Sequence, residues 1–195
     1  MTIWRKDGYR AAMTGSEGRP LLFLDVDGPL IPFGAASGQY SGGYPTHGDP
    51  AVPDENPLLA RINPEHGPRL MALPCELVWA TTWMAEANET VAPRLGLPEL
   101  AVVSWPEPDD EGAGGEAGQD ARRGLHWKTR ALVDRAAGRP FVWVDDEITD
   151  TDRTWVSAHH RGHALLYRVD PCRGLTDADF DALDEWLAAE VAGGS

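Results

Sequence analysis

The stretch Leu21-Leu22-Phe23-Leu24-Asp25-Val26-Asp27-Gly28 constrains this chain more than any other. Four large apolar residues in a row, without polar alternation, suit a strand covered on both faces, as in the middle of a parallel sheet. Ligands of open α/β sheets bind beyond the carboxyl ends of the strands. Asp25 and Asp27 are therefore expected to emerge together at that edge, with Gly28 letting the chain turn sharply. Two acids so close repel each other, and a cation or a shared proton is needed to hold them.

The same apolar-then-polar pattern returns along the chain. Residues 77–80 (Leu-Val-Trp-Ala) run into Thr81 and Thr82, residues 100–104 read as a short third strand, and residues 141–144 (Phe-Val-Trp-Val) run into Asp145-Asp146-Glu147. Residues 164–169 make a fifth. Between them lie helical patterns: 63–73, opened by Asn63 as a cap with Pro64 at the first position; 84–95, closed by Gly96; 125–137, with Lys128 in its first turn and Gly138 as the stop; 150–158; and a final amphipathic helix capped by Thr176 and running to about Glu190. Strands alternating with helices predict an α/β fold with a doubly wound, Rossmann-like, five-stranded parallel sheet.

Length and charge limit what such a sheet can serve. With 195 residues, 42% hydrophobic and 25% charged, one domain over 20–192 is expected, led in by a flexible segment 1–19. A net charge of −14 argues against a surface that grips nucleic acid as a whole, because that affinity comes from Lys and Arg neutralising phosphates. Cys75 and Cys172 form no disulfide framework or zinc cluster. With no apolar leader and no segment long enough to span a bilayer, a cytoplasmic location and no membrane partner are expected. Two stretches break the pattern. Residues 34–57, crowded with Gly, Pro, Ser and Tyr, suit a lid or binding loop carrying Tyr40, Tyr44 and His47, or equally a solvated loop; residues 106–120, acidic and Gly-rich, read as a flexible excursion.

Taken in order, Asp25-x-Asp27, the hydroxyls at 81 and 82, Lys128 and the acidic pair 145–146 resemble the haloacid dehalogenase (HAD) superfamily. Its four motifs are an apolar strand with DxD, an apolar strand with Ser or Thr, a lysine, and an apolar strand with an acidic pair. The match spans about residues 20–150, and the Trp79-Ala80-Thr81-Thr82-Trp83 stretch is similar to compact HAD domains associated with RNA repair. The resemblance implies a phosphatase, because dehalogenases and phosphonatases of the superfamily lack an acid at the position of Asp27. It implies Asp25 as nucleophile, forming an aspartyl-phosphate. Asp27 is then the general acid and base, its backbone carbonyl also a metal ligand; Thr81 holds a phosphoryl oxygen, and Lys128 offsets charge. Asp25, Asp27, Asp145 and Asp146 are then the Mg2+ ligands, with Asp146 favoured as the inner-sphere acid because Asp150 follows at the spacing of the superfamily's GDxxxD variant. Asp145 stands where that variant has glycine, and Pro29 stands where Thr or Val is common.

Gly28, Thr82, Tyr44, His47 and Trp83 are the candidate substrate contacts, with Trp83 and Trp127 placed to stack on a base or sugar. His126, near Lys128, is a lesser candidate. His159, His160 and His163 have no zinc-site spacing and read as surface residues. Neither interval between motifs holds a full cap domain. The open site therefore suits a small phosphomonoester such as a nucleotide or sugar phosphate, closed in by the 34–57 loop or by a second subunit of a homo-oligomer; a nucleic-acid end or a phosphorylated protein is the alternative. A receiver-like signalling domain would need an acid after the third strand, where Ser104 and Trp105 stand. A silent phosphate-binding domain would not need every polar motif position filled.

Overall fold

The computed structural model describes residues 18–36, 56–105 and 116–193. The lead-in before Gly18, the middle of the expected lid with Tyr40, Tyr44 and His47, and residues 106–115 lie outside the described residues. Five parallel strands, β1 (Leu21–Leu24), β2 (Glu76–Trp79), β3 (Ala101–Val102), β4 (Phe141–Asp145) and β5 (Ala164–Arg168), form one sheet in the order β3-β2-β1-β4-β5. β1 is central, pairing Leu24 with Trp79 on one side and with Val144 on the other. The order reverses beside β1, which opens a crevice at the carboxyl ends of β1 and β4.

The uninterrupted apolar run of β1 fills both faces, as its pattern predicts. Leu22 and Leu24 join one core with Leu70 of α1 (His66–Ala72), Leu95 of α2 (Ala92–Leu95) and Phe180, Leu183 and Leu187 of the last helix. Leu21 and Phe23 join the opposite core with Trp143 and with the two helices that flank β4 in sequence. Fully burying each such side chain is worth roughly 1.5–3 kcal/mol, so the sheet is held from both sides. Numbering in chain order continues with α3 (Glu116–Arg123), α4 (Thr129–Ala136), α5 (Asp150–His159) and α6 (Asp177–Gly193).

Local structure departs from expectation in five places. Asn63 does not cap a helix beginning at Pro64: its side chain accepts the Glu65 N–H in a turn, and α1 starts at His66. Residues 84–95 are not one α-helix. They form a turn, a π-helical stretch Ala87–Val91 and then α2, closed by Gly96 in the left-handed region. Pro93 has no N–H for a regular bond to residue 89, and one extra residue in the turn accommodates it. Asn88, within that stretch, accepts from the Trp79 indole (2.8 Å) and brackets the Leu100 backbone through both its N–H and its carbonyl. That bracket takes up the Leu100 backbone, so β3 begins only at Ala101 and spans two residues. Residues 116–120, expected in the flexible excursion, belong to α3, where buried Asp120 takes a two-pronged hydrogen bond from Arg130. Helix α4 begins only at Thr129, because residues 125–128 form a turn tied to α5.

Between β1 and β2 the described residues hold a 3-10 turn, Pro57–Arg61, and α1, with no sheet or bundle of their own. No helix among the described residues is long and apolar enough to cross a membrane.

Candidate active site

β1 and β4 lie side by side, and the Asp25 N–H donates to the Val144 carbonyl (3.1 Å), so Asp25 leaves β1 level with the end of β4. Lys128 joins the two strand ends. Its ammonium donates to Asp25 Oδ2 at 2.6 Å and to Asp145 Oδ2 at 2.8 Å, and all three side chains are buried. Lys128 is aimed there by the turn before α4. Its N–H donates to His126 Nδ1, the Thr129 hydroxyl donates to Asp152 Oδ1 at 2.6 Å, and the His126 N–H donates to the same oxygen at 2.8 Å. Because Nδ1 accepts, Nε2 is the donor nitrogen of the ring, and its N–H donates to Glu147 Oε2 at 3.1 Å. His126 thus supports the lysine turn, its side chain sheltered from solvent.

Charge crowding sets the electrostatics of this corner. Burial pushes the Asp25 carboxyl up to about 7, with Lys128 pulling down and Asp145 pushing up. Burial also disfavours the Lys128 charge, but Asp25 and Asp145 outweigh it and raise its pKa. Asp146 is raised as well, by burial first and then by Asp145. Lys128 supplies a single positive charge to three neighbouring carboxylates.

The donor set fits a hard divalent cation. Carboxylate oxygens of Asp25, Asp145 and Asp146 lie within 4.8 Å of one another, the all-oxygen set that Mg2+ prefers. Their roles differ. Both oxygens of Asp145 are engaged, Oδ2 by Lys128 and by the Trp143 indole (3.1 Å) and Oδ1 by the Glu147 N–H (2.9 Å). Asp146 makes no ion pair among the described residues, and the Asp27 carbonyl accepts no hydrogen bond among them. Gly28 makes room for Asp146: at φ +84°, a Cβ there would fall 2.5 Å from Asp146 Oδ1. The Gly28 N–H goes to the Ile31 carbonyl. Asp150, which marks the GDxxxD spacing after Asp146, has a fully exposed side chain near Arg153 and is not one of the three clustered acids.

Across the crevice, Asp27 is half-buried at the rim, and the Trp83 indole N–H donates to its Oδ2 at 2.9 Å. Trp83 is itself half-buried against the core, with its indole N–H committed to Asp27. Thr81 is fully buried one residue beyond Ala80, whose N–H bonds the Leu24 carbonyl. Its hydroxyl oxygen accepts the Trp83 N–H at 3.3 Å, and among the described residues nothing takes its proton. Thr82 is exposed. Trp127 does offer an open ring, 49% exposed, packed edge-on to Trp105 with centroids 4.7 Å apart and 5.5 Å from Lys128 Nζ.

The fold thus gathers Asp25, Asp27, Thr81, Lys128, Asp145 and Asp146 around one strand-end crevice. Tyr44 and His47 lie outside the described residues. His159, His160 and His163 pair separately with the Trp155 carbonyl, the Arg139 carbonyl and Glu190, and so share no site. Sequence reasoning missed Asp152, which fixes the lysine turn; the capping pattern Thr149-x-x-Asp152 carried its signal.

A doubly wound sheet with an acid-lysine-acid bridge at its central strand ends defines the HAD-type hydrolase class. Within that class the chain belongs to the family described as the HAD domain in Swiss Army Knife RNA repair proteins, whose family model matches residues 21–180. No curated protein and no solved structure matches it.

Proposed function

We propose that this chain hydrolyses phosphomonoesters through an aspartyl-phosphate on Asp25, and the observation that carries the reading is the Lys128 bridge between Asp25 and Asp145 with Asp146 alongside. Phosphoryl transfer asks the protein chiefly to position groups and to offset charge. An Asp25 oxygen attacks phosphorus and the bond to the leaving oxygen breaks, while Asp27 gives that oxygen a proton. Asp27, now a carboxylate, takes a proton from water; the water oxygen attacks phosphorus, the bond to Asp25 breaks and inorganic phosphate leaves. Lys128 and the Thr81 hydroxyl lower the cost of charge on the transferring oxygens. Asp25, Asp146 and the Asp27 carbonyl would hold Mg2+, with Asp145 reserved for Lys128. When bound, the ion supplies Lewis-acid neutralisation of the phosphate charge.

The first choice of substrate is a small phosphomonoester, because the net charge of −14 opposes a long polyanion. A polynucleotide end is the second reading, favoured by the RNA-repair description of the family and by the open Trp127 ring beside Lys128. Phosphate release from p-nitrophenyl phosphate, nucleotides, sugar phosphates and 5′- or 3′-phosphorylated oligonucleotides tests both. We expect Mg2+-dependent turnover that a chelator removes and that falls by about 10³-fold or more in Asp25→Asn. An undiminished rate in that variant defeats the mechanism. The substrate with the highest kcat/KM decides between the two readings.

A further inference from the structure

We infer that Trp83 is a positioning residue for proton transfer by Asp27, fixing which carboxylate oxygen handles the proton. The inference rests on the phosphatase reading above and goes beyond it. Trp83 follows β2, separated from Asp27 by 56 positions of sequence, and its indole N–H meets Asp27 Oδ2 at 2.9 Å. Two features hold the ring there: the Trp83 N–H bonds back to the Thr81 hydroxyl, and the ring packs against the core face that contains Leu24 and Val26.

An indole N–H donates and cannot accept. With that donor occupying Oδ2, Oδ1 is the oxygen left open toward the crevice, and it is the one that hands a proton to the leaving group and later takes one from water. Among the described residues the Trp83 indole is the one hydrogen-bond donor that sets the rotation of the Asp27 carboxylate. Removing the indole N–H leaves the group free to turn away from the reacting oxygen, and small misplacements of catalytic groups are costly. Trp83 therefore acts through Asp27 and needs no contact with substrate.

The test uses the full-length chain with Trp83→Phe, which keeps a ring and removes the donor. The parameter kcat/KM reports events up to departure of the leaving group. Glycerol phosphate has a poor leaving group that needs the proton; p-nitrophenolate leaves without it. In Trp83→Phe we expect kcat/KM to fall about tenfold or more for glycerol phosphate and to stay within about twofold for p-nitrophenyl phosphate. For the nitrophenyl ester kcat and KM should fall together, because the water step still needs Asp27. Equal losses on both esters, or no loss on either, overturn the inference in favour of a packing role.

A second measurement needs no turnover. In a 15N–1H spectrum the Trp83 indole peak, assigned from its disappearance in Trp83→Phe, should move upfield in Asp27→Ala while the Trp143 indole peak stays. A peak that does not move overturns the inference while wild-type turnover preserves the phosphatase reading. A wild-type chain inactive on both esters removes that reading, and this inference with it.

Discussion

Asp25 and Asp152 are both carboxylates withdrawn from water, at 7% and 0% exposure, yet the fold treats them in opposite ways. Burial alone would push Asp152 up. Hydrogen bonds from the Thr129 hydroxyl, from the Thr149 hydroxyl and N–H and from the His126 N–H overcome it and hold the carboxyl below its usual range. Asp25 has the Val26 N–H and Lys128 for company, but also Asp145 and Asp146, and its carboxyl is raised. Neutral dipoles on both oxygens complete a buried anion and make a structural joint. An anion left crowded by other anions is a site still short of positive charge, and that shortage separates the acidic corner from the scaffold beside it.

The largest stability effect expected from this contrast comes from removing the lysine. Lys128→Met leaves Asp25 and Asp145 buried without their shared cation, and breaking such a pair costs about 3–5 kcal/mol. Urea unfolding at pH 7 in the presence of a chelator measures it. Added Mg2+ should restore part of the loss, and a change under about 1 kcal/mol in chelator would mean the corner is not held by its charges.

Asp152→Asn should cost less, about 2–3 kcal/mol, because the new amide N–H faces donors while the other oxygen still accepts. The pH dependence distinguishes the two acids. Folding lowers the proton affinity of Asp152, so its contribution is complete above the unfolded value near 4 and is lost as pH falls through the lower folded value. Folding raises that of Asp25, so the contribution of Asp25 is complete below about pH 4 and is lost as pH climbs through about 7. The advantage of wild type over Asp152→Asn should therefore be constant from pH 5 to 7 and shrink below about pH 4. A gap that instead grows on acidification would reverse the assignment.

How much of this was legible depends on the range of the interaction. The strands and their ends could be read because a run such as 21–24 or 141–144 states its burial locally, and parallel register then places Asp25 beside Asp145. The order of the motifs along the chain located Lys128. The Trp83 bond to Asp27 could not be read: it depends on how a turn with Met84 at φ 51° swings a ring across to another loop. Helix α3 has little apolar surface to announce it, and one contact that fixes it, Arg130 on Asp120, is tertiary. Asp152 is readable in principle through its capping box with Thr149, whereas the GDxxxD spacing points past it to Asp150.

That spacing supplies the smallest predicted effect and the sharpest control. Asp150 is the first residue of α5, where a negative charge gains a few tenths of a kcal/mol from the helix dipole, and its exposed ion pair with Arg153, 3.7 Å apart, contributes little more. Asp150→Ala should therefore cost about 0.5 kcal/mol or less and leave intact the rise in melting temperature on adding Mg2+. Asp146→Asn should abolish that rise, since it removes the acid without an ion-pair partner among the described residues. If Asp150→Ala blunts the Mg2+ response as strongly as Asp146→Asn, the cation is held by a wider acidic set than the strand ends. The separation between crowded corner and completed scaffold would then have to be redrawn to include the start of α5.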